Sequence, residues 1–198
     1  MQVFMPYPDF EKSVQALDNT RLLKQSLETT QLLDIMLGLP TKTGKPRKGW
    51  LKHPAFLAWQ QTPGALIEHL IHNVIEIEKR GYKTDYASSK IKTYDKFTTS
   101  LLRPIWLGDD EIHSSHRARL LQKGYEEKLK DRKKADETIE WYSRFEWDEM
   151  KDANLFRREY LWPTNITKSS YDKETTVSKD MLKIKETLIA TYGENPWM

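Results

Sequence analysis

The stretch DFEKSVQALDNTRLLKQSLETTQLLDIMLGLP, residues 9–40, decides the fold class. At about 100° per residue, Phe10, Val14, Leu17, Leu32 and Ile35 share one side of a helix. Leu22, Leu23, Leu27, Leu33 and Leu37 cover the opposite side. A helix apolar around much of its circumference belongs in the centre of a fold. The pattern predicts one long helix from Asp9 to Leu37, closed by Gly38 and Pro40. Arg21, Gln25 and Glu28 interrupt its apolar stripe, with Asp18 at the margin and Lys24 beside them. Buried charges are paired or line a cavity. The cluster therefore reads either as an internal ion pair, Arg21 with Asp18 or Glu28, or as the polar floor of a cleft. In the second reading a carboxylate near an arginine, inside an apolar wall, serves as acid, base or charge stabiliser.

Outward from this helix, Pro6 and Pro8 keep residues 1–8 extended. TKTGKPRKGWLK, residues 41–52, is a Gly/Pro-containing loop. It carries Lys42, Lys45, Arg47, Lys48 and Lys52 without one acidic residue. Such a loop is a solvated segment or a phosphate-binding one, and Trp50 adds a face on which a base can stack. A short helix follows His53, and another runs from about Gly64 to Arg80, stopped by Gly81. Helical spacing then returns around Ile91, Tyr94 and Phe97, from about Asp109, and from Lys179 to Tyr192. No alternating strand pattern stands out. The fold class is mainly α: a compact, single-domain helical bundle built around the long N-terminal helix. Residues 1–163 form its body, with a charged, aromatic-rich insertion at about 124–157. Residues 164–198 supply a polar connection and a last helix packing on the same domain.

The five histidines include two pairs at a spacing of three, His69 with His72 and His113 with His116. The first pair reads as ordinary helix-surface or core-edge residues. The second follows a turn, opens a helix and precedes Arg117, an arrangement suited to phosphate. His53, next to the basic loop, is placed to face the same anion. Neither pair has the further ligands of a stable metal site, so no metal is predicted. With no cysteine, disulfides, thiol chemistry and Cys-ligated metals are excluded. No apolar run is long enough for a membrane span, and MQVFMPYPDF is unlike a signal peptide. A cytoplasmic location is expected. The net charge of +3 is too small to announce nucleic acid by itself; the distribution of charge says more.

LDNTRLLKQSLE, residues 17–28, resembles the helix motif of the phage-type pyrimidine-dimer DNA glycosylases, the endonuclease V repair enzymes. HPAFLAWQQTPGALIEHLIHNVIEIEKRGYKTD, residues 53–85, resembles that family's second block. MQVFMPYPDF, RPIWLGDDEIHSSH and YLWP are similar to a less characterised branch of bacterial and phage relatives. The resemblance implies a helical bundle and chemistry by the chain's own α-amine, which attacks the sugar C1′ and forms a Schiff base. It implies that Glu28 stabilises the intermediate and moves protons. Arg21 stands where the repair enzymes have histidine, and Leu27 where they have arginine. Gln2 disfavours removal of the initiator, so Met1 is expected to supply the amine. An α-amine, with a pKa near about 8, is partly neutral at pH 7, which nucleophilic attack requires. The implied partner is damaged or modified duplex DNA, without organic cofactor. The catalytic residues are then Met1, Glu28 and Arg21. The nucleotide- and phosphate-binding set is Asp18, Lys24, Gln25, Lys45, Arg47, Lys48, Trp50, His53, His113, His116 and Arg117. If the protein is phage-encoded, it acts in the host cytoplasm. A binding protein is the other reading, in which the same cleft sequesters a small nucleotide or nucleotide-derived signal. Leu27, the bulky Gln2 and the 124–157 insertion support that alternative. No sequence pattern sets an oligomeric state.

Overall fold

The computed structural model describes residues 2–47, 49–97, 102–163, 172–173 and 179–198. Eight α-helices carry the described residues: α1 Phe10–Ala16, α2 Asn19–Met36, α3 Pro54–Trp59, α4 Pro63–Lys79, α5 Asp85–Tyr94, α6 Asp110–Lys128, α7 Arg132–Ser143 and α8 Lys179–Tyr192. The only strands among those residues, β1 Leu161–Trp162 and β2 Asp172–Lys173, pair over two residues each. The fold is mainly α, as expected. The chain divides into two compact units, Met1–Gly108 with Trp162–Tyr171, and Asp109–Leu161 with Asp172–Met198.

The long helix predicted over Asp9–Leu37 is two helices. Leu17 and Asp18 are extended, and the Asp18 side chain caps α2 by accepting from the Arg21 N–H at 3.1 Å. Asp9 caps α1 in the same way, accepting from the Lys12 N–H at 2.7 Å. Arg80, just past α4, holds the break open. Its guanidinium donates to the carbonyls of Gln15 (3.0 Å) and Leu17 (2.7 Å), to Asn19 Oδ1 (3.0 Å), and to Glu76 Oε1 (2.7 Å). The last carbonyls of α1 thus find charged donors instead of a next helical turn. The apolar phase runs across the break, which is why the periodicity reads as continuous. A second correction concerns the circumference of α2. Leu22, Leu32 and Leu33 are buried, but Leu23 and Leu27 face solvent.

In the first unit α2 packs on α4, with α1 and α5 against α4 as well. Phe10, Trp59 and Trp106 supply much of the aromatic core, the two indoles meeting edge to face at 5.1 Å. Asp34, fully buried on α2, is ion-paired with Arg47 (2.9 Å) and Lys90 (2.8 Å). It also accepts from the Tyr94 hydroxyl at 2.7 Å. Two cations and a hydroxyl compensate the desolvation of one carboxylate, and the pairing pins the basic loop to the helix.

In the second unit α6 and α7 pack closely at Gly124, where a Cβ would come within 2.9 Å of Ile139 Cγ1. Tyr125, Phe156 and Leu188 are buried together, with Ile139, Ile184, Ile189, Tyr192 and Trp197 around them. In the aromatic-rich insertion Phe145 stacks on Trp147 at 5.1 Å, and Tyr142 lies 5.6 Å from Trp147. The last helix occupies Lys179–Tyr192, as its pattern indicates. No described helix is long and apolar enough to cross a membrane.

Candidate active site beside the N-terminal strap

The prolines that keep residues 1–8 out of a helix leave their backbone groups needing partners. Val3, Phe4 and Met5 are nevertheless buried, so the first residues form a strap inside the first unit. Side chains replace the missing secondary structure. The Phe4 N–H donates to Gln25 Oε1 at 2.6 Å, and Gln25 Nε2 returns a longer bond to the Phe4 carbonyl at 3.4 Å. Ser13 holds Tyr7 reciprocally, accepting from its N–H (3.0 Å) and donating to its carbonyl (2.7 Å). The Gln2 N–H donates to Glu28 Oε2 at 2.9 Å. The start of the chain is thereby tethered to the glutamate, which is 15% exposed and faces Lys24 Nζ at 3.8 Å.

His53 caps α3 through Nδ1, which accepts from the Ala55 N–H at 3.1 Å, so a neutral ring carries its proton on Nε2. Two indoles meet this ring edge-on, Trp50 at 4.8 Å and Trp162 at 5.6 Å. Burial pushes the His53 pKa down, while the charge of Glu28 pulls it up. The imidazole and the carboxylate therefore sit in one electrostatic environment. Trp50 is half exposed and adopts φ = 68°, a left-handed conformation unusual for an aromatic residue.

The remaining sequence-predicted residues divide sharply. Arg21 and Asp18 are both buried and paired at 3.2 Å, at the head of α2. Lys24 is largely exposed on the same helix, and Lys45 is exposed on the loop. Arg47 gives its charge to Asp34. Met1 and Lys48 lie outside the described residues. His113, His116 and Arg117 belong to the second unit. Both histidines are buried; His116 stacks on Tyr160 at 4.5 Å, and burial pushes its pKa down to about 3. Arg117 is engaged by Glu149 at 2.9 Å and Asp110 at 3.3 Å. A neutral buried imidazole and a compensated guanidinium are poor phosphate ligands. Among the described residues no group of three or more His, Asp or Glu stands where it could hold a metal ion.

The strap thus leads to the Glu28 carboxylate, whose charge acts on His53, and Lys24 and Trp50 are exposed. Residues 1–89 match the pyrimidine dimer DNA glycosylase family. The glycosylase match spans the strap, α1 to α4 and the start of α5, and so contains Glu28, His53 and Trp50. It supports a glycosylase-like function with DNA as the substrate. No curated protein and no solved structure matches the chain.

Sequence reasoning underrated His69 and Asn73. Both are fully buried on α4 and interleave with Leu66, Leu70, Val74 and Ile77 at helical spacing. That spacing was the available signal: polar residues inside an apolar stripe, as in α2. Asp34 carried the same signal and was equally missed.

Proposed function

We propose that the protein is a DNA base-excision enzyme whose nucleophile is the α-amine of its first residue, with Glu28 as the proton-handling carboxylate. The observation that carries this reading is the 2.9 Å hydrogen bond from the Gln2 N–H to Glu28. One residue spans at most about 3.6 Å, so the amine is covalently confined to the neighbourhood of that carboxylate. The amine nitrogen bonds to C1′ as the C1′–N bond breaks, and the base leaves with the bonding pair and a proton from the amine. The C1′–O4′ bond then opens, O4′ takes a proton relayed by Glu28, and a protonated Schiff base remains. Lys24 and Lys45 attract the phosphate backbone, and Trp50 stacks on an unstacked base. Arg21, ion-paired with Asp18, braces the head of α2.

Borohydride added to the protein with an abasic-site duplex should leave a covalent protein–DNA adduct. Glu28→Gln should slow its formation about 10²- to 10⁴-fold. One extra residue placed before Met1 should move the amine and lower trapping as well. Absence of any adduct, together with a thermal shift by mononucleotides and none by DNA, would replace this reading with the nucleotide-sequestering one.

A further inference from the structure

We infer that His69 is a positioning residue of the site, acting on the Phe4 peptide, which Gln25 also holds, to keep the N-terminal strap in register with Glu28. This rests on the function proposed above. The Phe4 peptide group is gripped from two helices, with Gln25 reaching it from α2. From α4, His69 hydrogen-bonds the Phe4 backbone, and its Nε2 lies 3.4 Å from Gln25 Nε2. Asn73 sets the direction of the grip. Its Nδ2 donates to the His69 carbonyl at 2.9 Å and meets His69 Nδ1 at 2.6 Å. Nδ1 is then the acceptor, and the ring proton lies on Nε2, facing Phe4. Phe10 and Trp59 pack against the ring with centroids 5.4 and 5.9 Å away, fixing its plane. Burial pushes the His69 pKa down to about 4, so the ring is a neutral single donor at ordinary pH.

The arrangement has the form of a strand pairing made by side chains. Phe4 gives its N–H to one residue and its carbonyl to others, two residues from the N–H that reaches Glu28. A buried Asn–His pair beside a buried Gln is a costly way to fill a core, since each polar atom needs a partner. Asn73 Oδ1 is buried with none, a further cost of holding the ring in this orientation. A core serving packing alone is served by apolar residues at these positions.

The test compares wild type, His69→Leu and His69→Gln as full-length proteins. For each, borohydride trapping is timed on an abasic-site duplex at saturating DNA, alongside the DNA Kd and the folded fraction from a thermal melt. His69→Leu should trap about a hundredfold more slowly per folded molecule, with Kd within about threefold of wild type. His69→Gln, which restores a donor, should recover at least a tenth of the wild-type rate. Equal rates per folded molecule in all three proteins would overturn the positioning role, as would a loss confined to Kd. If His69→Leu does not fold, His69→Gln and Gln25→Leu decide the matter: an unchanged rate per folded molecule in both would overturn it. Wild-type protein that traps no DNA fails the proposed function itself, a result distinct from trapping that is indifferent to His69.

Discussion

Both units bury an unusual amount of polarity on a central helix, and they use it differently. On α6 of the second unit, Ser114, Ser115, His116, Arg119 and Gln122 are buried, and their partners lie within the unit. Glu149 takes Ser114 and Arg117, Gln122 donates to the carbonyls of Leu155 and Arg158, and Ser115 accepts from the Leu161 N–H. On α2 of the first unit the polar series reaches the N-terminal strap. Gln25 holds Phe4, and Glu28 holds Gln2 while facing the exposed Lys24. Buried polarity alone therefore marks an over-determined helix; buried polarity that grips the strap and ends at a partly exposed carboxylate marks a candidate site.

Substituting the two glutamates in parallel is the strongest way to break the comparison. Glu28→Gln should cost the trapping rate its two to four orders of magnitude and leave the unfolding free energy little changed. Glu149→Ala should do the reverse. Removing one partner of a buried ion pair destabilises by about 3–5 kcal/mol in a urea titration, without changing the trapping rate per folded molecule. Next in size is Gly124→Val. A side chain has no room against Ile139, so about 1–3 kcal/mol of overpacking is expected in the same titration.

Protonation gives a third, smaller comparison, because each unit holds a buried histidine whose pKa burial lowers. The folded pKa values of His69 and His116 are lowered to about 4 and about 3, against about 6.5 in the unfolded chain. Below about pH 6.5 the unfolded state takes up protons that the folded state refuses. Stability therefore falls as pH falls, by up to about 1.4 kcal/mol per pH unit for each ring. Above that pH the two rings contribute no slope. His116→Phe should remove one ring's share of the slope in denaturation curves at pH 5 and 7, and leave trapping at pH 7 unchanged. Smallest of all, Trp50→Gly should relieve the left-handed strain and stabilise by about 1 kcal/mol. The same change should weaken DNA binding by about 1–3 kcal/mol, the share of one stacked base. A strain cost tolerated at Trp50 without a binding loss on removal would leave the rim of the site without its stacking face.

The class of the fold was legible because helical periodicity is a local property. The interruption of the apolar stripe at Arg21, Gln25 and Glu28 was legible for the same reason. The break at Leu17 and Asp18 was not, although Asp18 followed by Asn19 and Thr20 is a helix-start signal. The apolar phase continues through it, and the arginine that completes it is 63 residues from Leu17. His69 was hidden by its residue type, since an isolated histidine on a helix is usually near the surface. Its partner, the Phe4 backbone, lies far back in the sequence. Arg47 looked like a free cation for phosphate because Asp34, its acid, sits on an apolar helix outside the loop. In each case the missing information was a long-range pairing, which composition and spacing do not encode.

The order of synthesis gives the side-chain grip on Phe4 a temporal meaning. Residues 2–5 are made before their partners, which are separated from them by 21 and 26 positions on α2 and lie as far along as α4. The beginning of the chain is thus the part of the first unit that waits longest for its place. A nascent or partly folded molecule carries Gln2 and Glu28 but not their hydrogen bond. Under the proposed mechanism, reactivity toward an aldehyde in DNA arrives with completion of the fold, so the assembly of α4 against α2 doubles as the step that arms the protein.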